Sequence, residues 1–372
     1  MKICTIIAEF NPFHDGHKYI IESAKNSGFT HIAVIMSGNF VQRGEPAIYS
    51  KQKRIESALR NGADLILELP CVWSLSSAEK YAESGVFLSD ALGCTHSLVF
   101  GSECGNLEAL TGIKNAFKNQ MFMQNLEKYL STGVTFAKAR ELAVSEIMPD
   151  YDFSKILSSP NNILGVEYLK AIEKFKFKIS PVTFQRNLEF DTASKIREKI
   201  KLENFSDNTE LPKDLFFGEK AIISRLSALS KYDISLLPDI SEGIENKIFN
   251  SIKSAEDLEN LLYLIKSKRY TMSRIKRIIL CACLNISKEI QSKKPPYLRP
   301  LGATKKGIEI LGLAKSTSKL PIISKYSDFE NMNSFAKKVF EIECDATEFY
   351  GNFSEKLKMM PSEKTFKFIK AK

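Results

Sequence analysis

Through the first hundred residues, short apolar runs alternate with longer stretches in which apolar residues recur at three- and four-residue spacing. The runs at 3–7 (ICTII), 33–36 (AVIM), 65–69 (LILEL) and 97–100 (SLVF) carry few polar positions. Runs of that length and composition predict strands covered on both faces. Between them the spacing predicts helices over about 17–25, 50–61 and 77–92, the first ended by Gly28. Strand-helix alternation of this kind predicts a parallel sheet with helices on both faces, an α/β fold.

Further along, the pattern is helical over about 108–148. The stretch SSPNN at 158–162 breaks it and introduces an amphipathic helix over 163–175. A strand-like 178–184 follows, and 191–197 reads as another helix start. A polar stretch with Pro212 places a domain boundary within 204–214, dividing the chain into 1–205 and a mainly helical, lysine-rich 206–372.

Ligands of an open parallel sheet bind beyond the carboxyl ends of its strands. Four polar segments fall at such ends, at 9–17, 37–46, 68–70 and 101–103.

The 372 residues, 44% hydrophobic and 26% charged, suffice for two or three domains. No run of about eighteen apolar residues is present to span a bilayer. The first residues lack the apolar region and cleavage site of a signal peptide, so the expected location is cytoplasmic. Seven cysteines without C-x-x-C spacing argue against structural zinc and predict reduced, mostly buried thiols. The net charge of +9 favours an anionic partner. Nothing in the pattern sets an oligomeric state.

Two of only four histidines, His14 and His17, flank Gly16 at a predicted strand-to-helix turn. A helix start there offers free backbone N–H groups and a positive dipole end to a phosphate. Imidazole donors beside it can stabilise charge moving onto a pyrophosphate leaving group. The same pair would also suit a strand-to-helix turn or a metal, although no third ligand cluster is evident and no metal ligands are assigned.

Farther along, Thr192 and Ser194 can cap a helix or bond a phosphate, with Arg197 one turn on. Alone this would be a capped helix with a solvated arginine. Paired with the histidine turn it supplies a second anion site, as gripping a triphosphate requires.

The 266–277 stretch carries Lys266, Lys268, Arg269, Arg274, Lys276 and Arg277 without an acidic residue. Such a run can be a solvated helix face. Such a run is usually no more than that, but Tyr263 and Tyr270, interleaved with the cations, also make it a candidate to hold phosphates and stack a base.

The chain resembles the nucleotidyltransferase superfamily that shares the HIGH motif with class I aminoacyl-tRNA synthetases. Within it, the sequence looks like the bacterial tRNA(Met) cytidine acetate ligase family. The likeness rests on 8–17 (AEFNPFHDGH), 36–47 (MSGNFVQRGEPA), 100–103 (FGSE), 159–165 (SPNNILG), 192–197 (TASKIR) and 268–271 (KRYT), blocks spread over most of the chain.

The resemblance implies a Rossmann-like catalytic domain followed by a mainly helical, tRNA-binding one. It implies that ATP, with Mg2+, activates acetate as acetyl-adenylate. The exocyclic amine of the wobble cytidine in elongator tRNA(Met) then attacks, forming N4-acetylcytidine.

Carried over by position, it places ATP on Ile7, Ala8, Glu9, Phe10, Asn11, Pro12, Phe13, His14, Asp15, Gly16, His17, Lys18, Tyr19 and Ile20. His14 and His17 would serve the phosphates as catalytic groups. Gly101, Asn161 and Arg186 would complete the pocket, with Thr192, Ser194 and Arg197 on the far side of the triphosphate. Lys266, Lys268, Arg269, Tyr270, Arg274, Lys276 and Arg277 would meet tRNA. One departure is that Asp191-Thr192-Ala193-Ser194 replaces the isoleucine and serine that usually precede the threonine. Asp191 would repel a phosphate unless it faces away as a cap or meets magnesium.

The chemistry fits the residues. Coupling acetate to AMP supplies a leaving group that acetate lacks, and that step needs alignment and donors rather than a covalent nucleophile. No Ser-His-Asp or Cys-His constellation is evident. A small-molecule adenylyltransferase and a non-catalytic RNA-binding protein with a nucleotide pocket remain the competing readings of the same residues.

Overall fold

Among the described residues, seven strands form one sheet in the order β7-β6-β1-β2-β5-β8-β9. They are β1 (Ile3–Ala8), β2 (His31–Ser37), β5 (Leu65–Leu69), β6 (Ser97–Ser102), β7 (Ser180–Gln185), β8 (Pro300–Ala303) and β9 (Ile369–Lys370). A short hairpin of β3 (Phe40–Val41) and β4 (Glu45–Pro46) lies outside it. The computed structural model describes residues 1–148, 153–187, 189–202, 213–241, 243–354 and 361–371.

β1, β2, β5, β6 and β7 run parallel, as the alternation predicts. Every residue of β1, β2 and β5 is buried, which explains why their sequences lack the polar alternation of a half-exposed strand. Side chains one apart enter opposite cores: Ile3 and Ile7 pack on one face, Cys4, Ile6 and Ala8 on the other. Helices α1 (Asp15–Asn26), α2 (Lys51–Arg60) and Ala78–Ala91 stand where the periodicity places them, the last two capped by Ser50 and Ser77. All seven cysteines are free thiols, only Cys104 short of full burial.

Strand order reverses between β1 and β6, because the chain leaves β1 toward β2 and β5 and then crosses back to β6. The carboxyl ends of β1 and β6 therefore flank the crevice where such sheets bind ligands.

The C-terminal half is mainly helical, and it also returns to the sheet. β8 pairs antiparallel with β5, and β9 pairs parallel with β8. The expected boundary at 205/206 falls in 203–212, outside the described residues.

A buried ionic cluster secures this return. Lys51 at the start of α2 bonds Glu68 of β5, Glu343 of the Ser334–Tyr350 helix (3.1 Å) and Glu363 (2.7 Å). Arg299 adds 2.8 Å contacts to Glu68 and Glu363. The three carboxylates converge within 4.8 Å of one another, a spacing that suits a metal, but the Lys51 ammonium bonds each of them.

Three carboxylates face two cations, and the proton distribution follows from that imbalance. Burial, then the Glu68 charge, pushes the Glu343 carboxyl up to about 7. Burial would raise Glu363 as well, but Lys51 and Arg299 outweigh it and hold that carboxyl at about 2. Gly38 approaches so closely that a Cβ there would lie 2.6 Å from Glu343 Oε1.

Candidate active site

A cavity of about 540 Å³ opens at the carboxyl ends of β1 and β6. Its first wall is the turn from β1 into α1. Phe10 there holds a left-handed φ of 48°, a strained conformation for a bulky residue, and Asn11–Pro12 is a cis peptide. Asn11 Oδ1 accepts the Ile48 N–H at 2.7 Å, so its side chain anchors the segment after β4.

His14 is the N-cap of α1. Its Nδ1 accepts the Gly16 N–H at 3.0 Å, and His17 Nδ1 accepts the His14 N–H at 3.3 Å. The two imidazoles thus replace the hydroxyl and carboxylate of an ordinary capping box. The structural and phosphate readings of the pair are compatible. With both Nδ1 atoms accepting, each ring carries its proton on Nε2, which remains a donor.

Burial, then the Arg186 charge, pushes His14 down to about 4. Burial, then His14 itself, holds His17 well below the ordinary imidazole value. Both rings are therefore neutral at neutral pH. Gly16 leaves room for this arrangement, since a Cβ there would lie 2.9 Å from His14 Cε1.

The opposite wall comes from the end of β6, the helix Pro160–Lys174 and the end of β7. Glu103 organises it: Oε1 accepts from Asn161 Nδ2 at 2.7 Å, Oε2 accepts the Asn162 N–H at 2.9 Å, and Arg186 lies 3.6 Å away. A Cβ at Gly101 would approach Ile20 at 3.0 Å and Arg186 at 3.2 Å, so glycine keeps this side open.

The third wall is the start of the helix Ala193–Leu202. Arg197 donates to the Asn11 carbonyl at 2.8 Å and to Ser194 Oγ at 3.1 Å, clasping this helix against the β1–α1 turn. Thr192 Oγ1 accepts the Lys195 N–H at 3.3 Å as a cap. Asp191 pairs with Lys199 at 2.6 Å and does not line the cavity. The departure in this loop therefore adds no carboxylate to the cavity lining.

Of the expected nucleotide residues, Ile7, Ala8, Glu9, Phe10, Asn11 and Ile20 line the cavity. So do His14, Gly16 and His17 of the turn, Gly101, Asn161 and Arg186 of the opposite wall, and Thr192, Ser194 and Arg197. Pro12, Phe13, Asp15, Lys18 and Tyr19 do not, Lys18 pairing with Glu22 along α1 instead.

The segment at 37–46 contributes only Gln42 and Arg43, while Asn39 is held by Thr347 at 2.7 Å. Glu68 belongs to the ionic cluster, so the 68–70 segment corrects the expectation of four strand ends meeting at one site. Sequence reasoning passed over Tyr81 and Tyr168, which also line the cavity, because each sits among the apolar positions of a helix.

The basic segment divides in two. Lys266, Lys268 and Arg269 are exposed on the connection between helices Leu258–Ile265 and Met272–Cys283, near the exposed Tyr263. Lys266 Nζ also donates to the Tyr270 carbonyl at 2.9 Å, and the remaining residues are less exposed and bonded within the fold. Tyr270 is buried with its hydroxyl on Ser241, and Arg274 donates to the Asp239 carbonyl at 2.7 Å. Lys276 pairs with Glu45 at 2.8 Å, and Arg277 with Asp239 at 3.1 Å. Helix Met272–Cys283 thus docks on the β3–β4 hairpin, whose turn supplies Gln42 and Arg43 to the cavity. Among the described residues, no helix is long and apolar enough to cross a membrane.

Residues 1–365 match the family described as HIGH Nucleotidyl Transferase. A protein of Thermoanaerobacter sp. strain X514 named tRNA(Met) cytidine acetate ligase is 40% identical over 381 residues, covering 94% of this chain and 95% of that protein. One of the same name from Clostridium perfringens strain ATCC 13124 is 35% identical over 398 residues, covering 96% and 97%. The crystal structure of Thermotoga maritima TmcAL bound with alpha-thio ATP superposes with a TM-score of 0.91 at 29% identity, over 100% of both chains. The chain belongs to the HIGH nucleotidyl transferase family and, within it, to the tRNA(Met) cytidine acetate ligases.

Proposed function

We propose that this chain is an ATP-dependent ligase that activates acetate as acetyl-adenylate and transfers the acetyl group to the wobble cytidine of elongator tRNA(Met). The observation that carries the reading is the clasp of Arg197 on Asn11 beside the His14–His17 cap, which joins two anion-binding helix starts around one cavity.

The phosphates lie against the start of α1, where free N–H groups and the dipole favour negative charge. His14 and His17 donate through Nε2 to oxygens that gain charge as the bond from the α-phosphorus to its bridging oxygen breaks. Being neutral and already accepting at Nδ1, they polarise without moving a proton. Arg186, Thr192, Ser194 and Arg197 hold the remaining phosphates from the other side. Alignment of the acetate carboxylate with the α-phosphorus supplies the rest of the acceleration.

Magnesium enters as part of the substrate. The carboxylates lining the cavity are Glu9 and Glu103, and both oxygens of Glu103 are occupied by Asn161 and Asn162. Such a site offers no carboxylate cage, which suits an ion bound through phosphate oxygens and water. The tRNA reading rests on Lys266, Lys268 and Arg269, exposed one helix and one hairpin away from the cavity.

Incubation with ATP, acetate and tRNA(Met), followed by nucleoside analysis, tests the proposal. N4-Acetylcytidine formed only when both small molecules are present is expected. Adenylyl transfer to a small molecule without tRNA would replace the reading with an adenylyltransferase.

A further inference from the structure

The acyl-transfer step raises a problem that the phosphate clamp does not solve. The exocyclic amine of cytosine shares its lone pair with the ring and is a weak nucleophile. As it attacks a carbonyl carbon it must lose a proton. Most possible acceptors in the cavity are already committed. His14 Nδ1 and His17 Nδ1 accept backbone N–H groups, and the Glu103 oxygens accept from Asn161 and Asn162. Arg43, Arg186 and Arg197 carry no acceptor, and the buried phenols of Tyr81 and Tyr168 stay protonated because burial pushes both upward.

Glu9 is the exception. It follows β1 directly, lines the cavity and keeps part of its surface open to it. Oε1 accepts the Gln42 N–H at 2.9 Å, which fixes the carboxylate plane. Arg54 donates to the Glu9 carbonyl at 2.8 Å and so holds the backbone beneath it. Among the described residues, Oε2 accepts no hydrogen bond and the carboxylate makes no ion pair. This free oxygen belongs to a carboxylate, the side chain suited to accept a hydrogen bond from the N4 amine of cytosine.

We infer that Glu9 is a catalytic residue of the second half-reaction, its free carboxylate oxygen accepting the proton of the attacking cytidine amine. The amine nitrogen bonds the acetyl carbon, and the carbon–oxygen bond to AMP breaks with its electron pair leaving on the phosphate oxygen. The amine proton passes to Glu9, which later returns it to water. The products are the amide, AMP and one proton.

The groups facing Glu9 suit this work. Burial raises its carboxyl above the ordinary value, against the Gln42 N–H and the charges of Arg43, Arg197 and Arg54 on three different elements. Tyr81 and Tyr168 face it from the helices Ala78–Ala91 and Pro160–Lys174. A raised value makes it a better acceptor near neutral pH.

The role rests on the functional reading above, and the test separates the two. Acetate-dependent ATP–pyrophosphate exchange reports the first half-reaction, and single-turnover transfer from preformed acetyl-adenylate to a tRNA(Met) transcript reports the second. For Glu9→Gln, transfer should fall about 10²- to 10⁴-fold, the range of general-base catalysis, and by far more than exchange falls. The falling acidic limb of the wild-type transfer profile should vanish in the variant.

Equal loss in both half-reactions, or unchanged transfer, would overturn the role. Glu9→Asp supplies a second readout if the glutamine variant does not fold, and it should lose transfer more than exchange. Absence of acetylcytidine with the wild-type chain would overturn the functional reading and this role with it. Normal wild-type acetylation with an unselective Glu9 variant would overturn the role alone.

Discussion

Arg197 donates to the main-chain carbonyl of Asn11 at 2.8 Å, 186 positions away along the chain, and this bond joins two walls of the cavity. The same guanidinium holds Ser194 Oγ, so two elements are positioned by one planar fork. Arg197→Lys keeps the charge but cannot make both bonds in that geometry. The expected outcome is a KM for ATP raised about tenfold or more, with melting temperature changed by only a few degrees, measured by pyrophosphate release and thermal unfolding.

The two roles of His14 can be separated by choice of substitution. Asparagine caps helices well and alanine does not. His14→Ala should lose about 0.5–2 kcal/mol of stability with the cap, whereas His14→Asn should retain most of it. Both should slow pyrophosphate release by about 10²- to 10³-fold, the cost of one lost donor to developing charge. Urea melts and exchange kinetics on the two variants check this, and full activity in His14→Asn would show that the ring serves the turn alone.

Acid should act on the same pair in a defined window. Both imidazoles are held below the ordinary value of 6.5, His14 at about 4. As pH falls, the unfolded chain takes up these protons before the folded one does, so the stability involved is complete above 6.5 and is lost toward 4. Pyrophosphate exchange should show no ionisation of either ring between pH 6.5 and 8. Denaturant melts across pH 4–8 and the exchange profile test the two halves of this statement.

The ionic cluster carries a different pH signature. Lys51→Met leaves Glu68, Glu343 and Glu363 facing Arg299 alone in a buried site, and breaking such a pairing costs about 3–5 kcal/mol. Glu363, held at about 2 in the folded chain, contributes stability that is full above its unfolded value and lost as pH falls toward 2. Removing Lys51 forfeits that contribution. The gap between variant and wild type should be largest near pH 8 and narrow toward pH 5, as the stranded carboxyls protonate. Urea unfolding at the two pH values measures it.

The basic segment predicts two distinct phenotypes. Lys268→Ala with Arg269→Ala should weaken tRNA binding and flatten its dependence on salt, by a slope of about 0.7–0.9 for each phosphate no longer neutralised. Arg277→Ala should chiefly destabilise the fold, because that arginine is buried on Asp239. Filter binding across a salt series and thermal unfolding distinguish the two.

The sequence alone determined the parallel sheet, its first helices and many of the residues that line the cavity. These features are local: a strand buried on both faces must be a continuous apolar run, and a phosphate-binding helix start must display its polar groups within one turn. Gly16, His14, His17, Thr192, Ser194 and Arg197 were legible for that reason.

What the tertiary structure decided depends on partners far apart in the chain. Lys51 meets Glu363 across 312 positions, and nothing near either residue announces the other. Pro300–Ala303 has no alternation to mark it as a strand, since β5 rather than its own pattern recruits it. The run at 266–277 looked uniform because charge is visible in sequence while burial is not. Only packing against Glu45 and Asp239 separated the cations that hold the fold from those left facing solvent.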